Sequence, residues 1–342
     1  MSQTQFSSKK CFIIAEVSAN HGQVFNYAVD AIRSAKACGV DAVKFQAYTP
    51  DTITIDSDRT YFRIKHSEWK GQTLYELYKK AYTPWEWMPK LKKVAEDEGL
   101  VFFATGFDKS SVDMLEEINV PIHKIASFEL TDIPLIEYMA KTKKPLIMST
   151  GMASLSEIKE AVKAARRAGA KEIALLKCIS NYPSLPEDMN LMTIPDLKKR
   201  FGVEIGLSDH SMGTGVPIAA VCLGATLIEK HFIHLPKLKT PDSFFSLGPQ
   251  EFKELVDNVR IVEKALGKVS YGAKKDELES LKYRRSLFVV QDIAKGEQIT
   301  EDNVRSIRPA NGLAPKYLPK VLKTKAVRNV KKGEPLSWAL LK

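Results

Sequence analysis

Two apolar stretches of this 342-residue sequence each end in a carboxylate and a histidine. Residues 206–211 read Gly-Leu-Ser-Asp-His-Ser, and residues 228–232 read Ile-Glu-Lys-His-Phe. Ionisable groups at the end of a buried strand are unusual because an unpaired polar group is costly away from water. Two imidazoles delivered from neighbouring strand ends can share one divalent metal, which makes His210 and His231 candidate metal ligands.

Polar side chains also follow the other predicted strands, and most of them fall into two chemical sets. Hydrogen-bond donors that suit a phosphate and a carboxylate form the first set: Lys44, Thr105, Lys124, Ser127, Ser149, Ser180 and Ser208. Acid–base groups and metal ligands form the second: Glu16, Glu229, Asp242, His210 and His231. One anionic substrate beside one metal-activated substrate is the simplest interpretation of this combination.

These side chains need a frame whose strands all end on one side. Strand-like runs alternate with helix-like segments, at residues 11–18, 41–48, 100–107, 122–127, 145–150, 172–180, 204–210 and 227–233. Eight such units predict a TIM (β/α)8 barrel, in which the strand C-termini form the active-site face. A doubly wound open sheet is the alternative, but no GxGxxG motif follows the first strand. Residues 49–82 interrupt this alternation of strands and helices, and loops of this length are usually functional.

The alternation of strand-like and helix-like segments ends after Gly267. We predict a barrel domain at residues 1–267, a charged linker at 268–283 and a small mostly-β domain at 284–342. Short strand-like pieces, Lys-Gly turns at Lys295 and Lys332, and a Pro- and Gly-containing segment at residues 308–312 mark the small domain. A unit of this size has a limited core and often leans on a larger partner.

Composition narrows the class of protein. The chain is 44% hydrophobic and 27% charged, as is typical of globular domains. It has no apolar run near the ~20 residues that span a bilayer, and residues 1–10 lack the apolar core of a signal peptide. We therefore expect a cytoplasmic protein with four reduced cysteines and no membrane partner. The formal charge of +10 favours an anionic ligand, while the dispersed basic residues argue against nucleic acid.

At its polar strand ends the sequence resembles the bacterial sialic acid synthase family. The matching stretches are residues 14–16 (Ile-Ala-Glu) with Asn20-His21, 43–46 (Val-Lys-Phe-Gln), 124–127 (Lys-Ile-Ala-Ser), 149–152 (Ser-Thr-Gly-Met), 206–210 and 229–232. The module after residue 284 is similar to the antifreeze-like (SAF) domain of that family, with Arg308-Pro309 and Asn311-Gly312 at its signature turn.

The resemblance implies condensation of phosphoenolpyruvate with an open-chain amino sugar and water. It implies that phosphoenolpyruvate is held by Lys44, Thr105, Lys124, Ser127, Ser149, Ser180, Tyr182 and Ser208. Glu16, Glu229 and Asp242 would be catalytic, and which of these carboxylates is the general base stays open. Asn20, Gln46, Asp242 and Arg308 would bind the sugar. His210 and His231 would bind Mn²⁺, with Mg²⁺ or Co²⁺ as alternatives. A small domain that covers the active site of a partner subunit implies a domain-swapped homodimer.

Two segments resemble the branch of the family that makes pseudaminic acid: residues 83–87 (Thr-Pro-Trp-Glu-Trp) and 241–247 (Pro-Asp-Ser-Phe-Phe-Ser-Leu). Ser243 stands where synthases acting on N-acetylmannosamine typically have His, which favours a more apolar, 6-deoxy diacetamido sugar. N-acetylneuraminate and legionaminate synthesis are the alternatives within the family. Outside it stand a TIM-barrel metal-dependent hydrolase or isomerase, and a small module that binds ice or carbohydrate.

Overall fold

The computed structural model describes residues 10–65 and 68–342, which form two compact units, Met1–Gly267 and Lys268–Lys342. Among the described residues of the first unit, parallel strands close into an eight-stranded barrel in chain order. This confirms the predicted TIM fold. The strands are β1 (Phe12–Glu16), β2 (Ala42–Ala47), β3 (Val101–Gly106), β4 (His123–Ile125), β5 (Leu146–Ser149), β6 (Ile173–Cys178), β7 (Glu204–Asp209) and β8 (Leu227–His231).

Helices lie between the strands and after the last of them. They are α1 (Phe25–Cys38), α2 (Pro50–Ile53), α3 (Leu74–Ala81), α4 (Met88–Asp97), α5 (Lys109–Glu117), α6 (Ile133–Lys141), α7 (Leu155–Ala168), α8 (Thr193–Phe201), α9 (Gly215–Cys222) and α10 (Pro249–Leu266). A capping box opens α7: the Glu157 amide donates to Ser154 Oγ, and the Ser154 amide donates to Glu157 Oε2. Such reciprocal bonds satisfy the free amides of the first turn.

The barrel strands alternate side chains between the interior and the helices. Glu16 is in register with Lys44 on one side and with His231 on the other, so strands that are distant in sequence bring these groups together. Gly206 allows the side chains of the neighbouring strands β6 and β8 to pack closely against β7, because a Cβ at this position would lie 2.6 Å from Leu176 Cδ2 and 2.7 Å from Leu227 Cβ. Parallel pairing thus delivers the polar ends of all strands to one rim.

The second unit has its own small core. Strands β9 (Ser286–Val289) and β10 (Val304–Ile307) form an antiparallel pair, and the short helix α11 (Leu318–Val321) packs with them. Residues 268–283, predicted as a linker, include a 3-10 helix at Lys275–Tyr283. At the predicted signature turn, a Cβ at Gly312 would overlap the Leu287 carbonyl oxygen, so glycine is required there.

Two sequence-based inferences touch residues outside the described ones. The polar stretch at residues 1–10 lies outside them apart from Lys10, and so do His66 and Ser67 within the long segment at 49–82. In the described part of the chain, no helix has both the length and the apolar character needed to cross a membrane.

Candidate active site

A small polar cavity of about 50 Å³ lies at the carboxyl ends of the barrel strands. Most of the predicted site residues line it, although they come from strands and loops spread along the whole barrel. Those that line it are Glu16, Lys44, Gln46, Thr105, Lys124, Ser127, Ser149, Tyr182, Ser208, His210, Glu229 and His231. The structure therefore gathers twelve of the sixteen predicted residues around one cavity.

Lys44 forms the electrostatic centre of this cavity. Its Nζ lies 2.5 Å from Glu16 Oε2 and 3.5 Å from Glu229 Oε1, and it donates to Thr105 Oγ1 at 2.9 Å. Burial acts to lower the pKa of Lys44, but the two carboxylates outweigh burial and raise it. Lys44 is thus held as a cation between two carboxylates, away from water.

Lys124 supplies a second buried cation. Its Nζ donates to Ser149 Oγ at 2.7 Å and to the Ile125 carbonyl at 3.0 Å. Burial lowers the pKa of Lys124, against the raising effect of Glu229. Both partners of its ammonium are neutral oxygens, so an anion entering the cavity would meet a desolvated positive charge.

Two serines converge on the backbone at Gly151. The Gly151 amide donates to Ser127 Oγ at 3.1 Å. A Cβ at position 151 would lie 2.8 Å from Ser127 Oγ and closer still to Ser180 Oγ. Ser180 itself does not line the cavity, but its hydroxyl adjoins Gly151, whose amide binds Ser127.

The two buried glutamates are in different electrostatic states. Burial raises the pKa of Glu16, and the charge of Glu229 adds to this against the lowering effect of Lys44. Burial alone would raise the pKa of Glu229 too, but Lys124 and Lys44 outweigh it and lower that pKa. Glu229 Oε2 is also buried without a hydrogen-bond partner. Adjacent carboxyl groups with diverging pKa values can divide acid and base roles.

Glu16 is oriented by a short hydrogen-bonded chain. Ser18 Oγ donates to Glu16 Oε1 at 2.6 Å, and Gln46 Nε2 donates to Ser18 Oγ at 2.6 Å. Ser18 is buried and has a φ of +48°, in the left-handed region that a residue with a side chain seldom adopts. Backbone strain of this kind is concentrated at functional sites.

His210 and His231 face one another with ring centroids 5.3 Å apart. His210 Nδ1 lies 2.7 Å from the Ile179 carbonyl oxygen, which can only accept, so Nδ1 carries the proton and Nε2 is left for a ligand. His231 Nδ1 is buried without a partner. Burial holds the pKa of His231 well below its usual range, and the charge of Lys44 adds to this effect, which keeps the His231 imidazole neutral.

These histidines fit a divalent metal with open coordination positions. Across residues 10–65 and 68–342, no three or more His, Cys, Asp or Glu side chains are grouped as a complete metal-binding set. A divalent ion held by these two imidazoles would take its remaining ligands from substrate or water. Open positions are the property of catalytic sites, whereas structural sites are closed by protein ligands.

A larger cavity of about 520 Å³ adjoins the polar one. Gln46, Phe107, Ala126, Phe128, Tyr182 and His231 line both cavities. The larger cavity is mostly apolar, and much of its wall comes from the long segment at residues 49–82, through Ile53, Ile64, Trp69, Leu74, Leu77, Tyr78 and Ala81. The long segment that follows β2 thus forms much of the wall of the larger cavity.

Asp242 reaches the larger cavity from the chain after β8. Burial raises the pKa of its carboxyl to about 6, while the Ala19 amide, which donates to Asp242 Oδ2 at 3.2 Å, opposes this. The ring of Phe245 follows closely and packs 4.6 Å from His231 and 5.2 Å from Tyr182, measured between ring centroids. Residues 240–246, here called the acceptor loop, therefore border both the histidines and the larger cavity.

The structure does not place every predicted residue on a cavity. Asn20 is fully buried and lines neither of the two. Its Nδ2 donates to the Phe232 carbonyl at 2.9 Å and to Ser246 Oγ at 2.8 Å. Arg308 is exposed on the second unit, and its assignment to the sugar stays a prediction.

Sequence reasoning missed two features of the site. Glu129 lines the larger cavity, and burial raises the pKa of its carboxyl to about 7. Its position two residues after Ser127, at a strand end, was an available signal. Asp209 and Lys230 form a fully buried ion pair at 2.5 Å directly beside the two histidines in sequence. Lys230 also donates to the Ser211 carbonyl at 2.6 Å.

The closed barrel carries lysines, carboxylates and histidines at the carboxyl ends of its strands. This is the arrangement of a TIM-barrel enzyme. Profiles of known families agree with this class: residues 31–271 match the NeuB family and residues 284–342 match the SAF domain. The chain is 43% identical to a pseudaminic acid synthase of Campylobacter jejuni, over 96% of both chains. It is 44% identical to a pseudaminic acid synthase of Helicobacter pylori, over 95% of this chain and 96% of that one.

A solved structure supports the same relationship. The crystal structure of an N-acetylneuraminic acid synthetase from Leptospira borgpetersenii superposes with a TM-score of 0.71 at 34% identity, over 80% of this chain and 90% of that one. The protein belongs to the NeuB family. This confirms the resemblance that the strand-end motifs carry.

Proposed function

We propose that this protein condenses phosphoenolpyruvate with 2,4-diacetamido-2,4,6-trideoxy-L-altrose and water, giving pseudaminic acid and phosphate. The observation that carries the proposal is the pair of adjoining cavities. One is small, polar and lysine-lined, and the other is larger and apolar, with Tyr182 and His231 between them. A condensation of a small anion with a sugar that carries several methyl groups requires this division.

The polar cavity suits phosphoenolpyruvate. Lys44 and Lys124 offer two buried cations, and the Ser127, Ser149 and Ser208 hydroxyls surround them. Charge-assisted hydrogen bonds from such groups are roughly twice as strong as neutral ones. Phosphate and carboxylate on one small molecule would therefore be held at two points and oriented toward the boundary with the larger cavity.

The apolar cavity suits a 6-deoxy diacetamido sugar. Its volume of about 520 Å³ lies in the usual range of small-molecule sites. Ser243 adds no polar group to its wall, because the Ser243 hydroxyl donates back to the Thr240 carbonyl at 2.9 Å. A methyl at C6 and the methyls of two acetamido groups gain from apolar contact, whereas the additional hydroxyl of N-acetylmannosamine would lose hydrogen bonds to water. The chain is 43% and 44% identical to the two pseudaminic acid synthases but 34% identical to the N-acetylneuraminic acid synthetase. This difference supports the same acceptor.

The reaction forms a bond between C3 of phosphoenolpyruvate and the aldehyde carbon of the sugar. Water then adds at C2, and the C–O bond to phosphate breaks. A divalent ion held by His210 and His231, Mn²⁺ in our proposal, would act as a Lewis acid toward the aldehyde oxygen. Lys44 and Lys124 would balance the charge of the phosphate and carboxylate throughout.

The two glutamates would divide the proton transfers. Glu229, with its lowered pKa and an unpartnered Oε2, is suited to accept a proton from the attacking water. Glu16, with its raised pKa, is suited to donate one to the developing alkoxide. Asp242 and Glu129 border the larger cavity and would hydrogen-bond the hydroxyl and amide groups of the sugar.

Phosphate release from phosphoenolpyruvate tests the proposal, with Mn²⁺ present and one acceptor supplied at a time. The acceptors are the altrose-configured diacetamido sugar, its mannose-configured isomer and N-acetylmannosamine. We expect release with the first. Release with only one of the others would keep the chemistry and refute the acceptor, and no metal-dependent release with any would refute the condensation.

A homodimer and a contribution of Arg308 to sugar binding belong to the same proposal, on the resemblance alone. Light scattering would measure the oligomeric state. The KM for the acceptor in an Arg308→Ala variant would measure the contribution of the guanidinium, and an unchanged KM would remove Arg308 from the site.

A further inference from the structure

Asn20 stands at the centre of a hydrogen-bond network that joins the end of β1 to the acceptor loop. We propose that Asn20 is a positioning residue: it holds residues 240–246, which carry Asp242 and Phe245, and makes no contact with the sugar. This replaces the direct sugar-binding role that the sequence suggested. Its kinetic consequences rest on the proposed function, whereas its structural consequences do not.

Three hydrogen bonds fix the side-chain amide of Asn20. Its Nδ2 donates to the Phe232 carbonyl at 2.9 Å and to Ser246 Oγ at 2.8 Å, and its Oδ1 accepts from Thr240 Oγ1 at 2.6 Å. The amide has two N–H donors, and both are used. Because the side chain is fully buried and no donor remains, it cannot offer a hydrogen to a ligand in the cavity.

The partners of Asn20 lie at both ends of the acceptor loop. Thr240 opens the loop and Ser246 closes it. Ser246 Oγ accepts a hydrogen bond from Asn20 and in turn donates one to the Asp242 carbonyl at 2.6 Å. One buried amide thus restrains the entrance, the exit and the middle of the loop.

The side chain of Asp242 is held by the residue next to Asn20. The Ala19 amide donates to Asp242 Oδ2 at 3.2 Å. The Phe232 carbonyl that Asn20 binds belongs to the residue directly after His231. The network therefore sets the position of Asp242 relative to the histidines, and catalytic groups lose rate steeply when they are misplaced by about 1 Å.

Contacts inside the loop do not replace these restraints. Ser243 Oγ accepts from the Thr240 amide at 3.2 Å and donates to the Thr240 carbonyl at 2.9 Å, so this pair shapes a turn without joining it to the barrel. Removing the Asn20 side chain would leave the turn intact and take away the hydrogen bonds that hold Thr240 and Ser246 to the end of β1. We therefore expect losses in sugar binding with little change in the phosphoenolpyruvate site.

The test compares Asn20→Ala with Thr240→Val and Ser246→Ala. The last two remove one hydroxyl of the network each and leave Asn20 in place. We expect Asn20→Ala to raise the KM for the acceptor about tenfold, and the two hydroxyl variants to raise it about threefold each, with the KM for phosphoenolpyruvate unchanged. The Asn20→Ala/Ser246→Ala double variant should be no worse than Asn20→Ala, because both act through one network.

Thr226→Val is the matched control. Thr226 Oγ1 donates to Glu204 Oε2 at 2.8 Å and to the Ile205 carbonyl at 3.2 Å, next to the opposite end of β8. Its loss should leave the acceptor KM unchanged. If Asn20 binds the sugar directly, only Asn20→Ala raises that KM and the two hydroxyl variants do not, and this result would overturn the proposal.

Amide hydrogen exchange gives a readout that needs no activity. Peptides covering residues 238–248 should exchange faster in Asn20→Ala, Thr240→Val and Ser246→Ala than in the parent protein, while peptides of β5 and β6 should not change. Unchanged exchange in the acceptor loop would refute the positioning role. If the parent protein releases no phosphate with any acceptor, the proposed function fails, and the exchange result still decides the role of Asn20.

Discussion

Gly151→Ala would insert a methyl group between two serines of the polar cavity. The Gly151 backbone is not in the left-handed region, so alanine can adopt its conformation. The new Cβ would lie 2.8 Å from Ser127 Oγ and closer to Ser180 Oγ. Reaching an ordinary contact of about 3.5 Å requires Ser127 Oγ to move by about 0.7 Å. A cavity of about 50 Å³ offers little room for that movement.

The magnitude follows from two effects. Overpacking of this kind costs about 1–3 kcal/mol of folding free energy. A hydrogen bond to a charged ligand contributes about 1.5–3 kcal/mol, so displacement of Ser127 should raise the KM for phosphoenolpyruvate about tenfold to a hundredfold. The KM for the sugar acceptor should change much less, since Gly151, Ser127 and Ser180 do not line the larger cavity.

Steady-state phosphate release at varied phosphoenolpyruvate gives the KM, and urea unfolding gives the stability. Gly215→Ala is the matched control, because no atom lies within 4 Å of a Cβ there and its backbone is also permissive. Adding Ser180→Ala to Gly151→Ala removes the closer contact and should recover stability without restoring the KM. A Gly151→Ala variant with a phosphoenolpyruvate KM within about twofold of the parent would refute the assignment of these serines.

Three further outcomes follow from charged groups around the site. Burial raises the pKa of Asp242 from 3.8 to about 6, so its stabilising contribution is complete below pH 3.8 and is lost as the pH rises through 6. The difference in Tm between the parent and Asp242→Asn should change over that window, and a constant difference would contradict the shifted pKa. Asp209→Asn or Lys230→Met should cost about 3–5 kcal/mol in urea unfolding and the double variant less than their sum, because each single change leaves a buried charge unpaired; additive costs would contradict the pairing. EDTA should abolish phosphate release and Mn²⁺ restore it, and the Mn²⁺ electron paramagnetic resonance signal of the bound ion should be lost in His210→Ala and His231→Ala; retained binding in both variants would refute the metal assignment.

The barrel could be predicted because its signal is local. Each strand is a short apolar run and each helix has its own periodicity, so the order of elements follows from neighbouring residues alone. The predicted strand at residues 41–48 is observed as β2 (Ala42–Ala47), and the one at residues 227–233 is observed as β8 (Leu227–His231). Since parallel strands must end on one rim, the gathering of Lys44, Lys124 and His231 was also predictable.

The roles of individual side chains were less accessible. Asp209 lies at the end of a predicted strand, whereas Asp242 follows the Lys- and Pro-containing stretch at residues 236–241. Strand alternation turns Asp209 away from the cavity toward Lys230, while Asp242 lines the larger cavity. Which of them meets a ligand depends on how remote segments pack, and no local pattern records that.

The sequence by itself determined the order of strands, the rim that carries the chemistry and the family, because those depend on hydrophobic periodicity and on short motifs. Only the tertiary structure decided that the side-chain amide of Asn20 forms its hydrogen bonds with Phe232, Thr240 and Ser246. It alone joined residues 49–82 and Asp242 into one apolar cavity. The physical reason is that hydrogen-bond saturation and cavity shape arise between segments as much as about two hundred residues apart, where the chain closes on itself.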